Sequence, residues 1–439
     1  MYKLLLNLVF FAIPAFASAQ FPPFYSELPP IPEAVTNNAV VAAVVNDMPY
    51  VYSFCGLDST KLWSGIHLKA WRLNLLSNEW QSLPPVPDPA GGRIAAAASL
   101  LKGLIYVVGG YHVAENANES SSAKVHRFDP VANTWLTDAA PLPKAIDDQV
   151  QAVWRDSLLF VVAGWSNIQN VPYVQIYNPA SDTWQTGTAL PNNNNFKAFG
   201  ASGLIVGDTL YYCGGAGNGA NFAATSTLRK GYIHPDNPST ITWSSTTLAE
   251  ARGYRMAAAV MAGHPVWVGG SAKTYNYDAL AYDGSGGVPA LTRLLDYDRN
   301  TGVLSAISDT LLLPPLMDLR GAAQISPNFF VTVGGMGKEQ EVLNKVYGFH
   351  WAYTVTAQEP NAEVAVEVFP NPADEFLQVE AKEAISVSLS DLPGGVLLRQ
   401  TGLGSVRLFT ANLPAGLYFL HSATLGRLPS VRIIIIAHQ

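Results

Sequence analysis

An apolar run ending in a glycine pair recurs along this chain, as Tyr106-Val107-Val108-Gly109-Gly110, Tyr211-Tyr212-Cys213-Gly214-Gly215, Val266-Trp267-Val268-Gly269-Gly270 and Val331-Thr332-Val333-Gly334-Gly335. Weaker forms stand at Cys55-Gly56 and Ala163-Gly164. The last glycines, at 56, 110, 164, 215, 270 and 335, are 54, 54, 51, 55 and 65 residues apart. Short apolar runs bounded by glycine read as buried strands. A unit of roughly fifty residues that returns this often cannot bury its own apolar face, so copies must stack around a common centre. The period predicts a β-propeller with one blade per unit.

The second half of each unit agrees. A leucine or aromatic is followed seven positions later by tryptophan in Leu73/Trp80, Phe128/Trp135 and Tyr177/Trp184, while Tyr297/Leu304 keeps the spacing without the indole. Asn-Pro, Asp-Pro, Asn-Thr and Asp-Thr between the two positions supply a turn, giving strand, turn, strand with an indole to pack between blades. Glycine pair, aromatic and tryptophan in this order resemble the kelch repeat. The resemblance covers about residues 21 to 355 and implies a fold, since one fold hosts many activities.

The two ends of the repeat region complete each other. Tyr25-Ser26-Glu27-Leu28-Pro29-Pro30-Ile31-Pro32 lines up with Trp80-Gln81-Ser82-Leu83-Pro84-Pro85-Val86-Pro87, so the mature chain is expected to begin with the tail of a unit. Lys345-Val346-Tyr347-Gly348-Phe349-His350 matches Lys124-Val125-His126-Arg127-Phe128-Asp129 and has no tryptophan after it at the blade spacing. The N-terminal segment is therefore expected to supply the outer strand of the last blade and leave no open sheet edge. The expected fold is all-β: a six-bladed kelch-type propeller with blade heads near 37, 93, 148, 197, 255 and 320, its largest insertion at 271–290.

Residues 1–19 read as a signal peptide: Lys3, an apolar run from Leu4 to Phe16, then Ala17-Ser18-Ala19. The propeller is assigned to 20–355, a polar linker to 356–363, and a small β-sandwich to 364–439. That last stretch resembles the C-terminal sorting domain of proteins exported by the type IX secretion system of Bacteroidetes. The matching residues are Val368-Phe369-Pro370-Asn371-Pro372-Ala373, the turn from Asp391 to Gly395, Leu413-Pro414-Ala415-Gly416-Leu417-Tyr418 and the apolar Val431 to Ile436. The resemblance implies the type IX machinery as a partner through residues 364–439, and delivery through the periplasm to the cell surface or the medium. After the signal peptide no run of about eighteen apolar residues occurs, so no transmembrane segment is expected.

The net charge of −7 argues against nucleic acid as a general partner. The histidines have no metal-ligand spacing and no phosphate loop or nucleophile elbow occurs, so neither metal nor cofactor is expected. Cys55 and Cys213 belong to second strands of opposite blades and are expected to be free, buried thiols. Two constellations are candidate ligand sites. Arg93, Arg255 and Arg320 each precede an alanine-rich first strand, with Arg252 beside the second, and convergent guanidiniums suit an anionic small molecule. The same arginines could instead pair with Asp147, Asp148 or Asp318. The insertion 271–290 groups Tyr275, Tyr277, Asp278, Tyr282 and Asp283, aromatic faces beside carboxylates that suit sugar rings, with Trp63, Tyr111 and Trp165 available from other blades. The expected function is a binding or adhesion module for a glycan or protein. The alternative is a small-sugar enzyme, because signal peptide plus kelch-like blades resembles the periplasmic sialate mutarotases. The loop at Gly214 to Asn218 lacks the glutamate and arginine which that family uses.

Overall fold

The computed structural model describes residues 24–310, 313–350, 367–371, 373–391, 396–414, 416–422 and 431–435. The expected signal peptide and linker lie outside the described residues. The chain divides into two compact units, one of them Pro22–Trp351.

Among the described residues of that unit, six four-stranded antiparallel sheets form the blades. Blade one is Ala39–Val45, Met48–Leu57, Ile66–Asn74 and Glu79–Leu83, innermost strand first. Blade six takes Ala323–Ser326, Phe329–Val333 and Val346–His350 from the end of the repeat region and Phe24–Leu28 from its start. Phe24 pairs with His350 and Leu28 with Val346, so the edge left by the missing tail is covered. The innermost strand of blade one neighbours those of both blade two, Ala97–Leu101, and blade six, which closes the ring.

The glycine pairs now have a physical reason. Gly109, Gly214, Gly269 and Gly334 have φ between 65° and 70°, and a Cβ on any of them would run into a backbone carbonyl of the next blade. Blades one and three keep the left-handed turn with Cys55 and Ala163, at φ 57° and 55°, which is why their motif is weak in sequence. The second glycine donates its N–H across the blade boundary: Gly56 to Arg93, Gly110 to Ile146, Gly164 to Ala198, Gly215 to Gly253, Gly270 to Leu316 and Gly335 to Val35, at 2.7 to 3.1 Å. Two residues past each acceptor the chain turns left-handed again, at Ala95, Asp148, Gly200, Arg255, Asp318 and Asn37, with φ between 49° and 63°. These six positions, at the mouth of the central channel, are the true blade heads, within three residues of those expected.

The Trp spacing works as a clamp between blades. The indole N–H of Trp80 donates to the carbonyl of Pro29, Trp135 to Pro84, Trp184 to Ala140 and Trp243 to Thr188, at 2.7 to 2.9 Å, each reaching the loop that ends the preceding blade. Cys55 and Cys213 are free and buried, and burial pushes their thiols up to about 11 and about 12.

In the second unit, Glu367–Phe369, Phe376–Ser390, Val396–Phe409, Gly416–Ser422 and Val431–Ile435 form one five-stranded sheet. The pairing of its two long strands is irregular between Glu380 and Ala384, and the sheet curls about a core of Leu377, Val379, Val387, Leu389, Val406, Leu408, Tyr418 and Leu420.

The clamp is testable at Trp184, whose ring lies 5.1 Å from Tyr177. Because the indole is half-buried, Trp184→Ala should cost about 2–4 kcal/mol, at or just below full core truncation. Denaturant unfolding measures this, and a loss below about 1 kcal/mol would show that the indole does not hold the blades together.

Candidate functional site

The glycine-pair loops and the blade heads lie on the same side of the ring, because each glycine pair bonds to the head of the next blade. Three of these loops fold back as walls. In blade two Tyr111–Val113 pairs with Glu119–Ser121, placing Val113 opposite Glu119. In blade three Trp165–Ser166 pairs with Gln169–Asn170. The blade-five insertion is tied by bridges between Tyr275 and Ala281 and between Leu280 and Gly287.

The floor is built from the left-handed head residues. Arg255, 1% exposed, reaches across the channel to Asp148, with Nη2 to Oδ2 at 2.7 Å and Nε to Oδ1 at 3.1 Å. Its Nη1 donates to Asp318 Oδ1 at 2.9 Å. Asp318 also accepts from the Thr36 hydroxyl at 2.7 Å and the Asn37 amide at 3.3 Å. Burial opposes the charge on Arg255, but Asp148 and Asp318 outweigh it and hold the pKa well above the usual arginine value. The guanidinium also lies 5.0 Å from the ring of Tyr254 and 5.6 Å from that of Tyr275.

Above this floor is a cavity of about 250 Å³ lined by Glu119, Asp147, Asp148 and Arg255 among polar groups, and by Tyr111, Trp165, Phe199, Phe222 and Tyr282 among aromatics, with Asn276. The aromatics hold one another edge to face: Trp165 to Phe199 at 5.3 Å, Trp165 to Phe222 at 5.4 Å and Phe222 to Tyr282 at 5.1 Å between ring centres. Asp147 is 4% exposed and accepts a hydrogen bond from the Ser121 hydroxyl. Burial, with Asp148 beside it, pushes its carboxyl well above the usual range. Desolvation also raises Glu119. Burial raises Tyr111 and Tyr282, so their hydroxyls stay neutral donors. Among the described residues, no group of three or more His, Cys, Asp or Glu is placed to hold a metal ion.

The three arginines do not all meet: Arg255 and Arg320 both reach Asp148, and Arg93 lies apart. Arg93 sits two residues before its blade's left-handed position, Arg255 on it and Arg320 two after it, so their side chains leave the backbone in different places. Arg93 is fully buried, ion-paired with Asp88 and 3.1 Å from Nε2 of His126, away from the cavity. Arg320 lines the channel with Gln149 and Gln151, bonds the Gln149 carbonyl at 2.9 Å and lies 3.6 Å from Asp148. Arg252 is exposed and donates to the Ala272 carbonyl at 3.1 Å. Within the insertion, Tyr282 reaches the cavity. Tyr275 is buried beneath it against Tyr254, Tyr277 packs beside Tyr111 and Ile94, and Asp278 stabilises a turn by accepting from the Leu280 N–H. Tyr111 and Trp165 line the cavity, whereas Trp63 does not.

Sequence reasoning missed Glu119, Phe199 and Phe222, and weighed Asp147 only as an arginine partner. Phe199 stands directly before the left-handed Gly200, a register visible once the glycine-pair acceptors are known. Glu119 carries no such mark, because its place depends on a loop hairpin.

Residues 367–436 match the family described as secretion system C-terminal sorting domain, and residues 92–137 match the kelch motif. Kelch-like protein 36 of Bos taurus is 25% identical over 143 residues, which is 33% of this chain and 22% of that protein. Kelch-like protein 33 of Homo sapiens is 31% identical over 147 residues, 34% of this chain and 26% of that protein. The matched region is therefore about a quarter of the length of these relatives. The solved structure of YjhT superposes with a TM-score of 0.56 at 15% identity, covering 72% of this chain and 95% of that one, a likeness of fold. Fold and motif together define a kelch-repeat β-propeller. The matched tail makes it a kelch propeller with a secretion sorting domain, exported to the cell surface or released.

The cavity has a pH signature. A carboxyl whose pKa is raised on folding costs stability as pH rises from its unfolded value, about 3.9, toward its folded one, because only the unfolded chain ionises freely. Asp147→Asn should remove that loss, so its melting temperature relative to wild type should improve steadily from acid to neutral pH. A constant difference across the range would show that Asp147 is ionised in the folded protein.

Proposed function

We propose that this protein is an exported binding module that takes a terminal sugar of a glycan in the cavity over Asp148 and Arg255. The observation that carries the reading is the wall itself: aromatic rings stand beside carboxyl groups in one recess. A sugar ring offers C–H faces to the first and hydroxyls to the second. At about 250 Å³ the recess is smaller than the ~300–1,000 Å³ of sites for drug-sized ligands, which suits one ring rather than an oligosaccharide. The sorting domain puts such a module where glycans are met, outside the cell.

Arg255 does not fit the anion site expected from sequence, since two buried carboxylates already neutralise it. A second reading, catalysis of sugar anomer exchange, draws on Asp147: a carboxyl whose proton is held more tightly by burial is suited to acid–base work. Anomer exchange of free sialic acid, followed by NMR, decides that reading: acceleration that Asp147→Asn abolishes would establish it.

On a glycan array the wild-type propeller should bind a defined set of terminal sugars, and Phe222→Ala should weaken that binding at least about tenfold by opening the aromatic wall. Unchanged binding by the variant would move the site off the cavity. An array without hits, with a protein captured instead by way of Phe222, would favour a protein ligand. Deleting residues 364–439 should leave the propeller's melting temperature nearly unchanged while retaining it in the periplasm. Truncated protein found outside the cell would refute the sorting role.

A further inference from the structure

We infer that the sugar selected by this cavity carries a free ammonium group, which donates to Asp147 and Glu119 while the ring lies against Trp165 and Phe222. The inference rests on the glycan reading above and adds the chemical class of the ligand.

The lining holds three carboxyl groups, Glu119, Asp147 and Asp148, against one guanidinium, that of Arg255. Arg255 is already engaged by Asp148 and by a fourth carboxylate below the lining, Asp318. Arg320 approaches Asp148 from the channel side and has its Nη2 on the Gln149 carbonyl. No positive charge is left over for an anionic ligand.

Asp147 lines the cavity at 4% exposure, and Ser121 occupies one of its carboxyl oxygens. The other has no hydrogen-bond partner among the described residues and is open to the cavity. A donor on a ligand in the cavity supplies the hydrogen bond that the protein leaves unmade there. Glu119 stands on the same wall, exposed to solvent and without an ion pair among the described residues.

A neutral hydroxyl would satisfy Asp147 but supply neither acid with a counter-charge. An ammonium satisfies both, and the flanking rings favour a cation further through their π faces. The raised pKa values of Asp147 and Glu119 agree with this: both are acids short of a counter-charge, and a cation between them restores their ionisation.

The test compares glucosamine with glucose and N-acetylglucosamine by calorimetry on the wild-type propeller. The first differs from the others only in presenting an ammonium where they present a hydroxyl or an acetamide. Glucosamine should bind at least about tenfold more tightly than either, and raised salt should weaken it selectively. Glu119→Gln should remove most of the preference, bringing glucosamine down toward glucose, and an unchanged melting temperature reports that the fold is kept. Equal affinity for the three sugars, with dependence on Phe222, would overturn the ammonium assignment and leave the glycan reading standing. Failure of all three, together with an array on which Phe222→Ala changes nothing, would overturn both. Tighter binding of N-acetylneuraminate than of glucosamine would also overturn it, since the cavity would then prefer an anion.

Discussion

The structure depends on one repeated contact: the second glycine of each pair donating its N–H to a carbonyl two residues ahead of the next blade's left-handed head. The contact occurs at all six blade boundaries. A second circuit runs through the heads themselves. Asn37 donates to Asp318, Asp148 to Ala95, Gly200 to Asp148 and Arg255 to Gly200 through backbone N–H groups, Leu319 donates to Arg255, and the Asn37 side chain accepts from Ala95. Two closed circuits of hydrogen bonds around one channel explain why glycine, which tolerates both the left-handed turn and close approach, is the most regular residue in the sequence. Five of the six head carbonyls, all but that of Asn37, accept a backbone N–H, which gives the channel mouth a fixed frame.

Chemistry on that frame comes from the residues that depart from the repeat. Ala95 and Gly200 fill the head position with nothing that can reach across the channel, whereas Asp148, Arg255 and Asp318 fill it with a three-way ion pair. Buried charges of this kind stabilise little in net terms, but they are strongly destabilising when one partner is lost. Here they brace the mouth and fix the floor on which the aromatic and acidic wall stands. The site is thus built where the repeat is broken, with the unbroken copies holding it in position.

How much of this was legible beforehand follows the same division. Local and periodic features could be read directly: the strands, the glycine pairs, the ring closure through Tyr25 to Pro32 and the sorting tail all carry marks in consecutive residues. The arginines misled because alignment by the alanine-rich run tolerates a slip of two, and a slip of two keeps a strand residue on the same face while moving its side chain along the channel. Tyr275 and Tyr282 are equivalent in sequence, yet one is a buried support and the other a wall, since the insertion folds back on itself between them. Glu119 and Asp147 meet only because two loop hairpins of adjacent blades share Ser121 and Asn167, a contact of residues 46 apart that no local pattern announces.

Arg255 is a brace whose charge is satisfied within the protein. Denaturant unfolding of Arg255→Met, alone and combined with Asp148→Asn and Asp318→Asn, tests this most directly. Removing the guanidinium alone should cost about 3–5 kcal/mol by leaving Asp318 without a counter-charge and Asp148 with only the longer contact to Arg320, and neutralising both should restore most of the loss. An Arg255→Met protein of wild-type stability that had lost ligand binding would contradict the account, because the arginine would then be a ligand group and the cavity an anion site.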